Sequence, residues 1–422
     1  MLAVLIALAA PVVIDWPHWR GPAYRGGAEA EGLPVQWSKK KNVVWVADLP
    51  GPGAATPAVS GERVFVSSLD TRKADLVALC LDRGTGEVLW SKVVAEGEGR
   101  TPSPLGRGTE NTMAAPSPVT DGETVCFLYG SGDLAAFDFD GNELWRRDLV
   151  EESGKLEIQY GYASSPLLFE GRLFVQVLHR AESYLLAIDP RTGTDLWRHA
   201  RETRAKKESR EAYTTPIPFQ NGDRWEVLVL GGDCLTGHDP ETGEERWRWS
   251  KLNPRRKGNL AAISTAVAGD DGLVVVTTPR NGPMHGLRIR GEKVEELWEL
   301  RRPTPGNTTP LLYHDRLYAI DGRNSRMVCL DPANGRVVWQ EDVDMPSTVF
   351  ASPTAGDGKV YVLDNGGTVA VLAAGDEHRE LGRSRLDASP TRSSVVIDGD
   401  ELLIRTANRL YCIGEGAAEE GR

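Results

Sequence analysis

The 422-residue sequence is poor in cysteine, with five, Cys80, Cys126, Cys234, Cys329 and Cys412, and no two of them adjacent. An odd number cannot all pair, and none sits in a Cys-x-x-Cys-His run that would attach a haem or in a zinc-binding arrangement. Buried free thiols are expected. Long apolar runs are missing as well. The opening "MLAVLIALAA" falls short of the ~20 residues that cross a bilayer, so no transmembrane span is expected. Helical periodicity is nearly absent, and no glycine-rich phosphate loop or nucleophile motif occurs. The seven histidines are scattered, and His238 beside Asp239 reads as a turn residue rather than a metal ligand. Basic residues number 49 against 60 acidic ones, net −11, which argues against a nucleic-acid partner.

What is present repeats. "AIDPRTGTDLW", ending at Trp197, has relatives ending at Trp90, Trp145, Trp247 and Trp339, with a looser copy ending at Trp298. In Asp189-Pro190-Arg191-Thr192-Gly193 the aspartate accepts backbone N–H groups, proline presets φ, and glycine takes the left-handed conformation that ends a hairpin turn. The tryptophan on the following strand is then a large flat side chain at a repeated position, suited to packing between copies. Upstream of each unit lies a second signal, Ser/Thr-Pro, at Thr56, Ser117, Ser165, Thr215, Thr309, Ser352 and Ser389, with Ser264-Thr265 standing in once. Each unit reads as four antiparallel strands, and such units every ~40 to 50 residues indicate a β-propeller. The last unit has three strands, while "NVVWVADL" around Trp45 is a lone strand near the other end. The ends are therefore expected to share one blade, closing an all-β ring of eight.

These residues resemble the pyrroloquinoline-quinone-repeat (quinoprotein-like) eight-bladed propeller superfamily, over about residues 37 to 414, where the A-x-D-x-x-T-G-x-x-x-W pattern is the tryptophan-docking motif. The resemblance implies docking roles for Trp45, Trp90, Trp145, Trp197, Trp247, Trp298 and Trp339. It also implies either a cofactor-free scaffold or a dehydrogenase. The dehydrogenases of the superfamily stack a quinone over a disulfide of adjacent cysteines and hold Ca²⁺ on carboxylate and amide oxygens, with an aspartate as base. Lacking the adjacent cysteines, this chain is expected to carry no cofactor, pyrroloquinoline quinone with calcium being unsupported by its motifs. The first reading is an exported binding or scaffold module without catalysis of its own. The alternatives are a quinone-dependent oxidoreductase using the funnel, and a scaffold like the outer-membrane assembly propeller of the superfamily, whose lipoprotein cysteine has no counterpart here.

Four segments follow: residues 1–10, similar to a secretory signal; an extension over 11–36 containing "WPHWRGP", with Trp16 and Trp19 as a clasp over an exposed blade face; the propeller over 37–414; and a tail over 415–422. A monomer outside the cytoplasm, periplasmic or secreted, is expected. Spacing from each Ser/Thr signal to its tryptophan is nearly constant, whereas the links onward vary, from 27 residues between Trp90 and Ser117 to 11 between Trp298 and Thr309. Those links share one end of the channel, and length variation on one face of a repeat protein marks a binding surface. Basic stretches at 201–210 and 251–257 lie on that face. The expected site there comprises Asn111, Tyr162, Tyr213, Arg255 and Asn307, with charge from Arg255, orientation from the amides and a flat wall from the tyrosines. It would take a protein partner or an anionic small molecule.

Overall fold

A computed structural model describes residues 15–97 and 113–416. Within them 32 strands form eight four-stranded antiparallel sheets. Blade 1 runs outward from the channel as β2 (Ala58–Ser60), β3 (Arg63–Asp70), β4 (Asp75–Asp82) and β5 (Val88–Ala95). The next six blades repeat this order. Blade 8 takes β30 (Val396–Asp398), β31 (Glu401–Arg405) and β32 (Arg409–Gly414) from the end of the chain and β1 (Val43–Asp48) from near its start. The ring therefore closes by pairing Trp45 with Cys412 and Val46 with Tyr411. All five cysteines are buried free thiols.

The repeated turn brings an indole of one blade against the turn of the next. Asp189 Oδ1 accepts the N–H groups of Arg191 (2.8 Å) and Thr192 (3.1 Å), and Gly193 closes the turn at φ 73°. Trp197 then donates its indole N–H to Pro240 O of the next blade's turn (3.1 Å). Trp45, Trp90, Trp145 and Trp298 reach the corresponding carbonyls of Arg83, Phe139, Pro190 and Pro332. The turn glycine lies flat on the ring: a Cβ on Gly243 would come within 2.5 Å of Trp197 Cε3.

Two blades depart from the pattern. Trp247 donates to Glu226 Oε2 of its own blade (2.6 Å), because blade 5 has "RGEK" in place of the Asp-Gly turn. On β29 (Glu380–Arg385) the tryptophan position holds Gly382, paired with Val371 beside the same bulge. Extension backbone fills the space, for a Cβ on Gly382 would lie 2.3 Å from Val35 O. Trp37 is buried alongside, its backbone N–H bonded to Ser384 Oγ (2.8 Å).

The remainder of the extension crosses the end of the channel opposite the long loops, rather than covering an exposed blade face. Trp16 bridges to Val59 in blade 1, Thr120 N–H of blade 2 bonds Pro17 O (3.1 Å), and Gly27 bridges to Ala355 in blade 7. Arg20, fully buried, donates to Pro310 O and Pro353 O, so one side chain ties blades 6 and 7 to the strap. No helix among the described residues is long and apolar enough to cross a membrane.

Candidate functional site

Each innermost strand begins two residues after a serine or threonine, and these eight residues, Thr56 to Ser394, form a collar lining the channel. Thr56 N–H bonds Ser117 Oγ (3.0 Å) and Ser117 N–H bonds Ser165 Oγ (2.9 Å). Likewise Thr265 N–H reaches Thr309 Oγ1 (3.0 Å), Thr309 N–H reaches Ser352 Oγ (2.9 Å), and Ser394 N–H returns to Thr56 Oγ1 (3.0 Å). The spacing rule places Ser394, not Ser389, in the collar. Ser389 instead bonds Asp387 in the loop before the strand. Of the Ser264-Thr265 pair, Thr265 takes the position.

Trp19 forms the floor. Its indole N–H bonds Thr215 Oγ1 (3.1 Å), and the Arg20 guanidinium lies 5.3 Å from its ring. Burial lowers Arg20 to about 9 and His18, with Arg20 adding to the effect, to about 3. Above the collar the cavity, about 390 Å³, opens among the long loops. Its wall bears Tyr160, Tyr213, Phe350 and Asn307 together with Arg280, Arg323 and Arg392. Arg280 is paired with Glu208 (3.0 Å), Arg392 lies 4.8 Å over Phe350, and Arg323 is exposed.

Of the expected site residues, Tyr213 and Asn307 line this cavity. Tyr213 is held from behind, its hydroxyl bonding the buried Glu211 carboxylate (3.1 Å) and accepting Tyr160 N–H (3.2 Å). Burial, then the Glu211 charge, pushes its phenol up. Tyr162 is not in the wall: it is buried in blade 3 with its hydroxyl on Gln176 O (2.7 Å), since the apolar pocket beside Tyr184 takes its ring. Arg255 is exposed outside the cavity, because Asn253 bonds back to Lys257 and turns the segment outward. Asn111 falls outside the described residues. Arg201, counted in the basic rim, is buried with its guanidinium on Gly231 O (2.7 Å) and Val229 O (3.1 Å). Sequence reasoning missed Arg280 and Arg323, which come from short turns between the second and third strands of blades 5 and 6, and Arg392, from the last link. The left-handed pair Arg280-Asn281 in "PRNGP" (φ 58° and 54°) was the one local signal.

The donor set does not fit a calcium-bound quinone. Among the described residues the cavity lining has one carboxylate, Glu208, already paired, facing three guanidinium groups. Ca²⁺ takes six or more oxygen ligands, usually with several carboxylates, and the described wall offers one carboxylate, already engaged by Arg280. The metal-capable group His285, Glu296 and Glu299 lies elsewhere, on the outer strands of blade 5, where Lys251 pairs with Glu296 (3.2 Å) and Arg301 with Glu299 (2.8 Å).

Solved structures share the architecture. BamB from Moraxella catarrhalis superposes with TM-score 0.64 at 13% identity, covering 88% of this chain and 98% of that one. A quinohemoprotein alcohol dehydrogenase from Pseudomonas putida HK5 gives 0.73 at 11%, covering 97% and 81%. A europium-containing methanol dehydrogenase gives 0.69 at 12%, covering 95% and 98%. At such identities the likeness concerns fold alone. In sequence, the outer membrane protein assembly factor BamB of Kangiella koreensis is 28% identical over 125 residues, 27% of this chain and 30% of that protein, so the match spans under a third of its length. The model of the outer membrane protein assembly factor BamB family matches residues 28–179 and 181–416, nearly the whole ring, and the chain belongs to that family.

Proposed function

We propose that this protein is a binding scaffold of the bacterial cell envelope, acting outside the cytoplasm without catalysis of its own and presenting its long-loop face to a protein partner engaged in outer-membrane protein assembly. The observation that carries this reading is the family match along the ring, combined with a channel whose donors do not suit the dehydrogenase cofactor. Arg255 and Arg256 are exposed on the long-loop face and would meet an acidic patch of the partner. Pull-down of envelope proteins with the purified chain should capture an outer-membrane assembly component. Reversing both charges, R255E with R256E, should weaken capture in a salt-dependent manner, since such attraction is screened over ~8 to 10 Å. Retention of pyrroloquinoline quinone with Ca²⁺ and dye-linked alcohol oxidation would instead establish the oxidoreductase alternative.

A further inference from the structure

We propose that blade 5 carries a site for a divalent transition-metal ion, zinc in its chemistry, on its two outer strands, with His285, Glu296 and Glu299 as the ligands. These strands, β20 (Met284–Arg290) and β21 (Lys293–Leu300), set His285 directly opposite Glu299. A register shift after Gly286 brings Glu296 in beside them. The imidazole and one oxygen of each carboxylate all lie within 4.8 Å of one another. Zinc takes nitrogen and oxygen ligands at about 2.0 to 2.2 Å, so tetrahedral neighbours stand about 3.4 Å apart. His285 Nδ1 is already 3.1 Å from Glu296, and rotation of the exposed Glu299 side chain closes the set. Water completes the coordination on the solvent side.

This set departs from the repeat. Two residues before and one residue after the docking position, three other blades place a glutamate and an arginine that neutralise each other: Glu143 with Arg146 (2.7 Å), Glu245 with Arg248 (2.5 Å) and Glu380 with Arg383 (2.6 Å). Opposite those arginines stand the small side chains of Ala135, Thr236 and Ala370. Around Trp298 the same slots hold Glu296 and Glu299, and the residue opposite is His285. Where the sister blades have a self-neutralised pair, blade 5 therefore has two like charges facing a nitrogen donor. Lys251 and Arg301 pair with these carboxylates, but their side chains are 66% and 88% exposed, and ion pairs so exposed yield readily to a metal. The imidazole is fixed by contrast. It is buried edge-on against Trp249 (5.2 Å between ring centres), with Nε2 facing Thr278 Oγ1 (3.5 Å) and Nδ1 left to the carboxylate side. One imidazole with two carboxylates suits zinc better than Ca²⁺ or Mg²⁺, which prefer oxygen ligands throughout.

Calorimetry of the full chain with Zn²⁺ alone, and with Ca²⁺ and Mg²⁺ as controls, tests this without a protein partner, so its failure leaves the scaffold reading untouched and the reverse. The wild type should bind one Zn²⁺ in the micromolar range, and both controls at least about tenfold more weakly. E299R rebuilds the glutamate–arginine pair that three sister blades carry, so it should fold and bind Zn²⁺ about a hundredfold more weakly. H285Q removes the nitrogen ligand, should lose about as much, and decides the matter if E299R does not fold. Zn²⁺ should also raise the thermal midpoint of the wild type and of neither variant. Absence of stoichiometric Zn²⁺ binding, equal affinity for Ca²⁺, or wild-type affinity for Zn²⁺ in either folded variant would each overturn the proposal.

Discussion

At the scale of single residues, the turn glycine of one blade lies against the indole of its neighbour. Gly243 has φ 76°, where any L side chain is strained, and its missing Cβ makes room for Trp197. Gly222 has a similar φ, 64°, with nothing within 4 Å of a built Cβ. G222A therefore measures the backbone cost alone, about 1 kcal/mol, and G243A should exceed it by at least about as much again, because the ring must shift. Urea midpoints of the two variants give the comparison, and equal losses would show that the contact contributes nothing. W197A should cost about 2–3 kcal/mol, below the usual range for a fully buried tryptophan because Trp197 is only partly buried. The aspartate, glycine and tryptophan of this device were readable in sequence, since turn chemistry acts within a few residues.

At the scale of elements, the strap converts a through-channel into a cup and brings a titratable group into the interior. His18 has a native pKa of about 3 against an unfolded 6.5, chiefly from burial, and burial likewise holds the distant His238 at about 4. Between these limits the unfolded chain binds protons that the native chain does not. Their contribution to stability is thus complete above about pH 6.5 and is lost as pH falls towards 3 to 4. Each histidine can contribute up to about 1.4 kcal/mol per pH unit within that window. H18Q should flatten the fall of melting temperature between pH 6.5 and 4, and an unaltered slope would show that His18 is not held neutral. Trp16 and Trp19 stand out in the sequence ahead of the repeats. The strap's path was not legible, because two of the three carbonyls that Arg20 bonds lie about 290 and 330 residues away, which no local pattern encodes.

For the whole molecule, closure by the two chain ends leaves β1 holding the outer edge of β32. Deleting residues 37–48 should expose that edge, remove Trp45 from the blade 1 turn, lower the thermal midpoint and promote association, as read by calorimetry and sedimentation. A stable monomer after the deletion would show that the ring does not depend on the shared blade. Blade number, antiparallel order and shared closure were all legible in the chain, because each blade is a local unit with alternating strands and turn residues at set offsets. The collar is half legible: its Ser/Thr positions stand out by repetition, yet in sequence the last falls at Ser389, where a Ser-Pro pair resembles the others, while the spacing to the inner strand selects Ser394. The cup itself was decided only by tertiary structure. Arg280, Arg323 and Arg392 come from three different blades and converge because the ring brings them around one axis. Val35 fills the space at Gly382 because the extension happens to pass there. Short-range turn and strand preferences suffice to count the blades, but what faces the channel depends on contacts between residues far apart in the chain.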